Sequence, residues 1–210
     1  MTPSSPSAGR KRIRLKPEVR AQQILEAALA EFSQHGFAAA RIEDIAARAG
    51  LSKSGVYAHY AGKDEIFEAL LMEVLSPHGS PEGAWEPEPD MPLPALVESY
   101  IEALYGRLQA PTVQATFRLL IAESERAPAL IRRWHAQTAE RRKRDQAFVD
   151  DCVRRGVMRA SALTEHFTLA AAPAVMWMNM YVALKDNVPL SLAQARDAHA
   201  RLLMDLLQPR

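Results

Sequence analysis

Between Leu51 and Glu65 the chain reads LSKSGVYAHYAGKDE, a stretch crowded with hydroxyl, amine and ring donors and almost free of aliphatic residues. Three kinds of chemistry use such groups: nucleophilic catalysis, metal ligation and the binding of anions. His59 has no second ligand three or four residues away, so the spacing gives no metal pair. Glu123 and Glu125, spaced by two, point to different faces of a helix and cannot work as a general acid and base on one substrate. There is no nucleophile motif, phosphate loop or metal cluster, and the reading is therefore not an enzyme, with no cofactor. What remains is a short polar, aromatic-rich surface whose partner is still open at this point.

The rest of the composition bounds this surface. The chain has 210 residues, 48% of them hydrophobic, enough to build a core without staples. Its one cysteine, Cys152, has no intramolecular disulfide partner, which suggests a reducing compartment. The formal net charge of +1 hides an asymmetry: residues 1–65 carry ten Lys or Arg against seven Asp or Glu. The excess sits between Arg10 and Arg20, an arm that suits nucleic acid or an anionic surface and equally a solvated tail. Nothing apolar follows it, so it is not a secretory signal. Phe167 to Leu184 runs eighteen residues without a charge, near the length of a bilayer span, but Pro173, Thr168 and Asn179 interrupt it. A buried or subunit-interface helix is the reading adopted, with no membrane role.

Apolar residues recur at spacings of three and four, and strand alternation is lacking, so the fold class is all-α with about nine helices. The expected helices are Glu18 to His35, Ile42 to Ala49, Lys53 to His59 and one from Lys63, then Leu93 to Leu108, Thr112 to Arg126, Pro128 to Arg155, Ala162 to Lys185 and Leu192 to Leu207. Gly36, Gly50 and Gly156 end helices, Ser52, Ser161 and Ser191 cap them, and Pro173 kinks one. The Pro- and Gly-rich run 76–92 is a loop between two helical blocks, with Trp85 pinned to the surface. Two short helices joined by AGLS, with Ala46 facing the junction, fit either a helix-turn-helix or a plain helical hairpin.

ILEAALAEFSQHGFAAARIEDIAARAGLSKSGVYAHYAGKDEIFEAL, residues 24–70, resembles the DNA-binding domain of TetR-family transcriptional regulators. The matching features are I-L-x-A-A, the G-F after the first helix, D-I-A-x-x-A-G, the S-x-G-x-x-Y-x-H-[FY] segment and the K-[DE]-[DE] after it. More weakly, FRLLIAESERAPAL (117–130) and the RRG closing at Gly156 resemble the AefR-like subset. The resemblance implies a disordered basic arm (1–17), a three-helix DNA-binding domain (18–62) and a helical effector-binding and dimerisation domain (63–210). It makes Lys53 to His59 the recognition helix. Ser52 and Ser54 then offer hydroxyls to phosphates, Lys53 reads a base edge, Gly55 lets the backbone approach DNA, and Tyr57 and His59 contact phosphate. Lys63 clamps the backbone from the other side, and Arg41 substitutes for the Thr common where Ala40 stands. Val56 and Tyr60 face the core.

It further implies a cytoplasmic homodimer through the last two helices, on a palindromic operator in double-stranded DNA, acting as a repressor released by a small, apolar effector. The effector itself is unknown. Tyr100, Leu104, Phe117, Trp134, Met176, Trp177, Met180 and Tyr181 are candidates for its pocket wall, although spacing does not separate pocket from core. The alternative is a DNA-bound adaptor or activator whose second block binds a protein.

Overall fold

The computed structural model describes residues 16–75 and 85–209. Among these the chain forms eleven α-helices and no strand. The first four are α1 (Pro17–Ala39), α2 (Ile42–Arg48), α3 (Lys53–Tyr57) and α4 (Lys63–Leu75). They close on one core built by the apolar stripes: Ile24, Phe32, Ile45, Val56, Ile66 and Phe67 are all at most 1% exposed. α4 packs on both sides, giving Ile66, Phe67, Leu70 and Leu71 to this core, which Leu119 and Leu130 from later in the chain also join. Gly36 interrupts α1 at φ 77°, ψ 158°, a conformation that L side chains seldom adopt. The chain nevertheless resumes a helical turn beyond it, because Phe37 slots between Phe32 (5.4 Å) and Phe67 (5.0 Å). The basic arm before residue 16 and the loop residues 76–84 lie outside the described residues.

The second block holds α5 (Leu93–Tyr105), α6 (Pro111–Glu123), α7 (Pro128–Gln137), α8 (Ala139–Arg154), α9 (Ala162–Glu165), α10 (Ala172–Leu184) and α11 (Leu192–Leu207). Ser161 and Ser191 each make a full capping box, and Pro111 and Pro128 open their helices. Cys152 is fully buried in α8.

Three expectations need correction. The helix expected over Pro128–Arg155 breaks at Thr138, whose hydroxyl donates to the His135 carbonyl (2.9 Å), as does the Arg142 guanidinium (2.9 Å). The break has a packing reason: Leu130 of α7 joins the first core, while Val149 and Cys152 of α8 join a second one. The helix expected over Ala162–Lys185 is α9, a 3-10 turn over Phe167–Ala171, and α10; Pro173 starts α10 instead of kinking it. Here Gln146 of α8 takes up the freed backbone groups, accepting from the Phe167 N–H (2.9 Å) and donating to the Thr164 carbonyl (2.6 Å). At thirteen residues α10 is about 20 Å long, short of a ~30 Å hydrocarbon layer. Finally, Trp85 is buried, not pinned at the surface. Its indole N–H donates to Ser99 Oγ (3.0 Å), and its ring packs edge-on against Tyr100 and Phe148 and at a tilt against Phe167.

Candidate nucleic-acid interface

Gly50 turns the chain after α2 at φ 66°, and the Leu51 N–H closes the turn on the Ala46 carbonyl at 2.9 Å. Ala46 is buried at this junction, so α3 crosses close behind α2. Alone, α3 is too short to persist. Two anchors hold it: Val56, fully buried, and Ser52, whose Oγ accepts from the Gly55 N–H at 3.1 Å. Tyr60 packs half-buried against the same core, and burial, ahead of the nearby Glu73 and Glu65, raises its phenol pKa.

With Val56 inward, Ser52, Lys53, Ser54 and Tyr57 all face solvent, Tyr57 at 47% exposure, and His59 lies half-exposed beside them. The structure therefore brings together one polar edge of hydroxyls, an ammonium and a phenol ring. Ser52 Oγ and Ser54 Oγ are 3.0 Å apart. Arg41 is exposed at the start of α2, where its backbone, without a side-chain cap bond, begins the helix. A Cβ at Gly55 would stand 3.4 Å from Leu51 Cβ and Ser52 Oγ, an ordinary contact, so the turn itself does not demand glycine.

Two lysines have partners that sequence reasoning missed. Lys53 donates to Glu43 Oε1 of α2 at 2.5 Å, and its ammonium lies 5.9 Å from the Tyr57 ring centroid. Their hydrogen bond raises the Lys53 pKa and lowers that of Glu43. Lys63 turns inward, donating to the carbonyls of Ala38 (2.9 Å) and Ala40 (3.1 Å) with its ammonium 4.8 Å from the Phe37 ring. It holds the α1–α2 connection, leaving one N–H of three for any outside partner.

Two buried carboxylates were also missed as structural anchors. Glu31 of α1 accepts from Arg48 Nε (2.6 Å) and ties α1 to the end of α2. Glu123 of α6, 2% exposed, accepts the Phe37 N–H at 3.2 Å, so the second block grips the turn beside Gly36. The signal was present: Val113, Thr116, Leu119 and Glu123 recur at helical spacing on one buried face.

The eight pocket candidates distribute over several walls. Tyr100 and Leu104 border a cavity of about 620 Å³ between α5 and α8, with Trp85, Phe167 and Arg141. Leu104, Phe117 and Trp134 border one of about 220 Å³ beneath α4. Met176, Trp177 and Met180 border a third, about 160 Å³, against α11, where Tyr181 stacks on Trp177 at 5.1 Å. Burial pushes the Tyr100 pKa far up, and pushes the Tyr105 pKa up to about 12.

A pinned short helix with a polar outer edge, set across a supporting helix, defines a helix-turn-helix domain. Residues 24–70 match the family described as "Bacterial regulatory proteins, tetR family". Over 55 residues the chain is 49% identical to the HTH-type transcriptional repressor SCO4008 of Streptomyces coelicolor, covering 26% of this chain and 29% of that protein. Over 75 residues it is 39% identical to the HTH-type transcriptional regulator RutR of Escherichia coli, covering 36% and 35%. The matched stretch thus spans well under two thirds of either relative. The fold extends further: a TetR family transcriptional regulator from Pseudomonas syringae superposes with a TM-score of 0.71 at 18% identity, covering 92% of this chain and 98% of that one. The family match is thus confined to the N-terminal helix-turn-helix domain, residues 24–70, and the likeness over the rest of the chain is one of fold.

Proposed function

We propose that the protein is a cytoplasmic transcriptional repressor that binds a palindromic operator as a homodimer and is released by a small molecule. The observation that carries the DNA reading is the outer edge of α3: Val56 is fully buried while Ser52, Lys53, Ser54 and Tyr57 all face outward. The hydroxyls and the Tyr57 and His59 side chains suit phosphate, Lys53 suits guanine acceptors, and Arg41 suits the flanking phosphate. Lys63 contributes mainly by fixing the connection it caps. The arm before residue 16 adds sequence-independent phosphate contacts.

The dimer reading rests on apolar groups left outside by α10 and α11: Val175, Met176, Leu184, Leu202 and Leu206 are each at least 36% exposed. Such groups side by side favour association with a second copy. The cavities of the second block favour a small-molecule effector over a protein partner, since concave apolar space suits a compact ligand.

Selection from a random DNA pool tests all of this together. Enrichment of a two-fold symmetric sequence with half-sites one helical turn, roughly 34 Å, or a multiple apart is expected. An asymmetric or unselected pool contradicts the reading, as does a stable monomer at micromolar concentration in light scattering. Gly55→Ala isolates the approach to DNA: the fold should be kept, because the new methyl fits, while operator affinity falls.

A further inference from the structure

The cavity beneath α4 differs from the others in its single charge. Val74 and Leu75 from the last turn of α4, Leu104, Phe117, Trp134 and Met178 make walls that are apolar everywhere except at Arg107. Arg107 lies two residues past the end of α5 and is half-buried. Its one hydrogen bond among the described residues is long, 3.5 Å from Nη2 to the Glu73 carbonyl near the end of α4. A guanidinium has five N–H donors in a planar fork shaped for a carboxylate. Among the described residues the guanidinium forms no ion pair; for the Glu73 carboxyl, burial is the larger effect and raises its pKa, while the charge of the guanidinium lowers it.

We infer that this cavity takes a small apolar carboxylic acid, its hydrocarbon part against Phe117, Trp134 and Met178 and its carboxylate on the Arg107 guanidinium. The inference rests on the ligand-responsive reading and specifies its ligand class. A volume of about 220 Å³ admits a molecule on the order of ten non-hydrogen atoms, given ~30 Å³ for one liquid water. The site also explains how such a ligand is felt by the DNA-binding domain. Arg107 caps the C-terminal end of α4, whose Ile66, Phe67, Leu70 and Leu71 are part of the first core. A carboxylate competes for that guanidinium, and the hydrocarbon part presses on Val74 and Leu75 of the same turn. Both interactions bias the seat of α4, and through it the first core.

The probe is octanoate, with 1-octanol as its uncharged counterpart, titrated calorimetrically into the full-length protein and into Arg107→Gln. Octanoate should bind the wild type at least about tenfold more tightly than 1-octanol, and Arg107→Gln should erase that difference while leaving 1-octanol unchanged. Equal binding of the two probes to the wild type, an unchanged preference in Arg107→Gln, or no binding of either would overturn the inference. The wild-type comparison stands even if the variant folds poorly. Operator binding separates the two levels. Octanoate that binds through Arg107 without changing operator affinity keeps the site and overturns ligand-responsive release by it. Release by neutral apolar compounds, equally in both proteins, keeps the repressor reading and overturns the site.

Discussion

The two cores of this protein are made of similar residues and packed to different ends. Around Phe32 and Phe67 the first four helices close until their central side chains are at most 1% exposed. Around Tyr100, Leu104 and Phe117 the second block leaves cavities of about 620 and 220 Å³ along its helices. The first arrangement suits a surface that must keep a fixed shape. The second suits a body that accepts a guest. Central side chains of the second core such as Ile101 and Val149 are also fully buried, so what separates the two is the apolar space beside the second core and not the residue types at its centre.

The strongest way to break this contrast is to open the tight side. Phe67→Ala should cost about 3–5 kcal/mol, measured by denaturant unfolding, because its neighbours cannot collapse into the space. A cost under ~1 kcal/mol would mean that the first core is no more rigid than the second. Next comes the joint between the two. Glu123→Ala should cost about 1–3 kcal/mol by leaving the part-buried Phe37 N–H without its acceptor, and Glu123→Gln should recover most of the loss. Equal losses in both variants would show that the hydrogen bond is not what matters. Ser52→Ala should cost about 1 kcal/mol and lower operator affinity more than its stability loss explains, since α3 frays at its first turn.

The smallest effect belongs to the second core and is read against pH. His199 is 2% exposed, between the Tyr105 hydroxyl (Nδ1, 3.2 Å) and the Ala170 carbonyl (Nε2, 2.9 Å), and burial lowers its pKa, partly offset by the Ala170 contact. The folded state therefore holds its proton less readily than the unfolded chain. Its stabilisation is complete above the ordinary histidine value of about 6.5 and is lost as pH falls through that value toward the lowered one. Unfolding midpoints measured downward from pH 7.5 should show this loss, and His199→Gln should flatten it.

Much of the fold was legible because its signals are local. Ser161 and Ser191 cap where their hydroxyls stand before an apolar run, Gly36, Gly50 and Gly156 take positive φ, and α4 and α11 have the bounds that their apolar stripes give. The breaks at Thr138 and before Phe167 were not legible, since neither contains Gly or Pro. They are made by the demands of a second core and by Gln146, a side chain some twenty residues away. Trp85 was misread for a similar reason: in sequence it stands two residues from Gly83 and Pro87, while its neighbours in space are Tyr100, Phe148 and Phe167. At the candidate interface, the outward set on α3 followed from helical spacing around Val56. What spacing could not give was the partners of its cations, Glu43 for Lys53 and two carbonyls of the α1–α2 connection for Lys63.

The Lys53–Glu43 pair has a consequence for selectivity. An ammonium already in contact with a carboxylate leaves it only for a stronger partner, so if α3 reads DNA as proposed, each step it meets would be weighed against Glu43. On that reading a step offering guanine acceptors at the right height would win the exchange; a step presenting an amino group would lose it, and the lysine would stay with Glu43. On such a surface the wrong sequence need not be repelled. It merely fails to outbid a neighbour ten residues away along the chain.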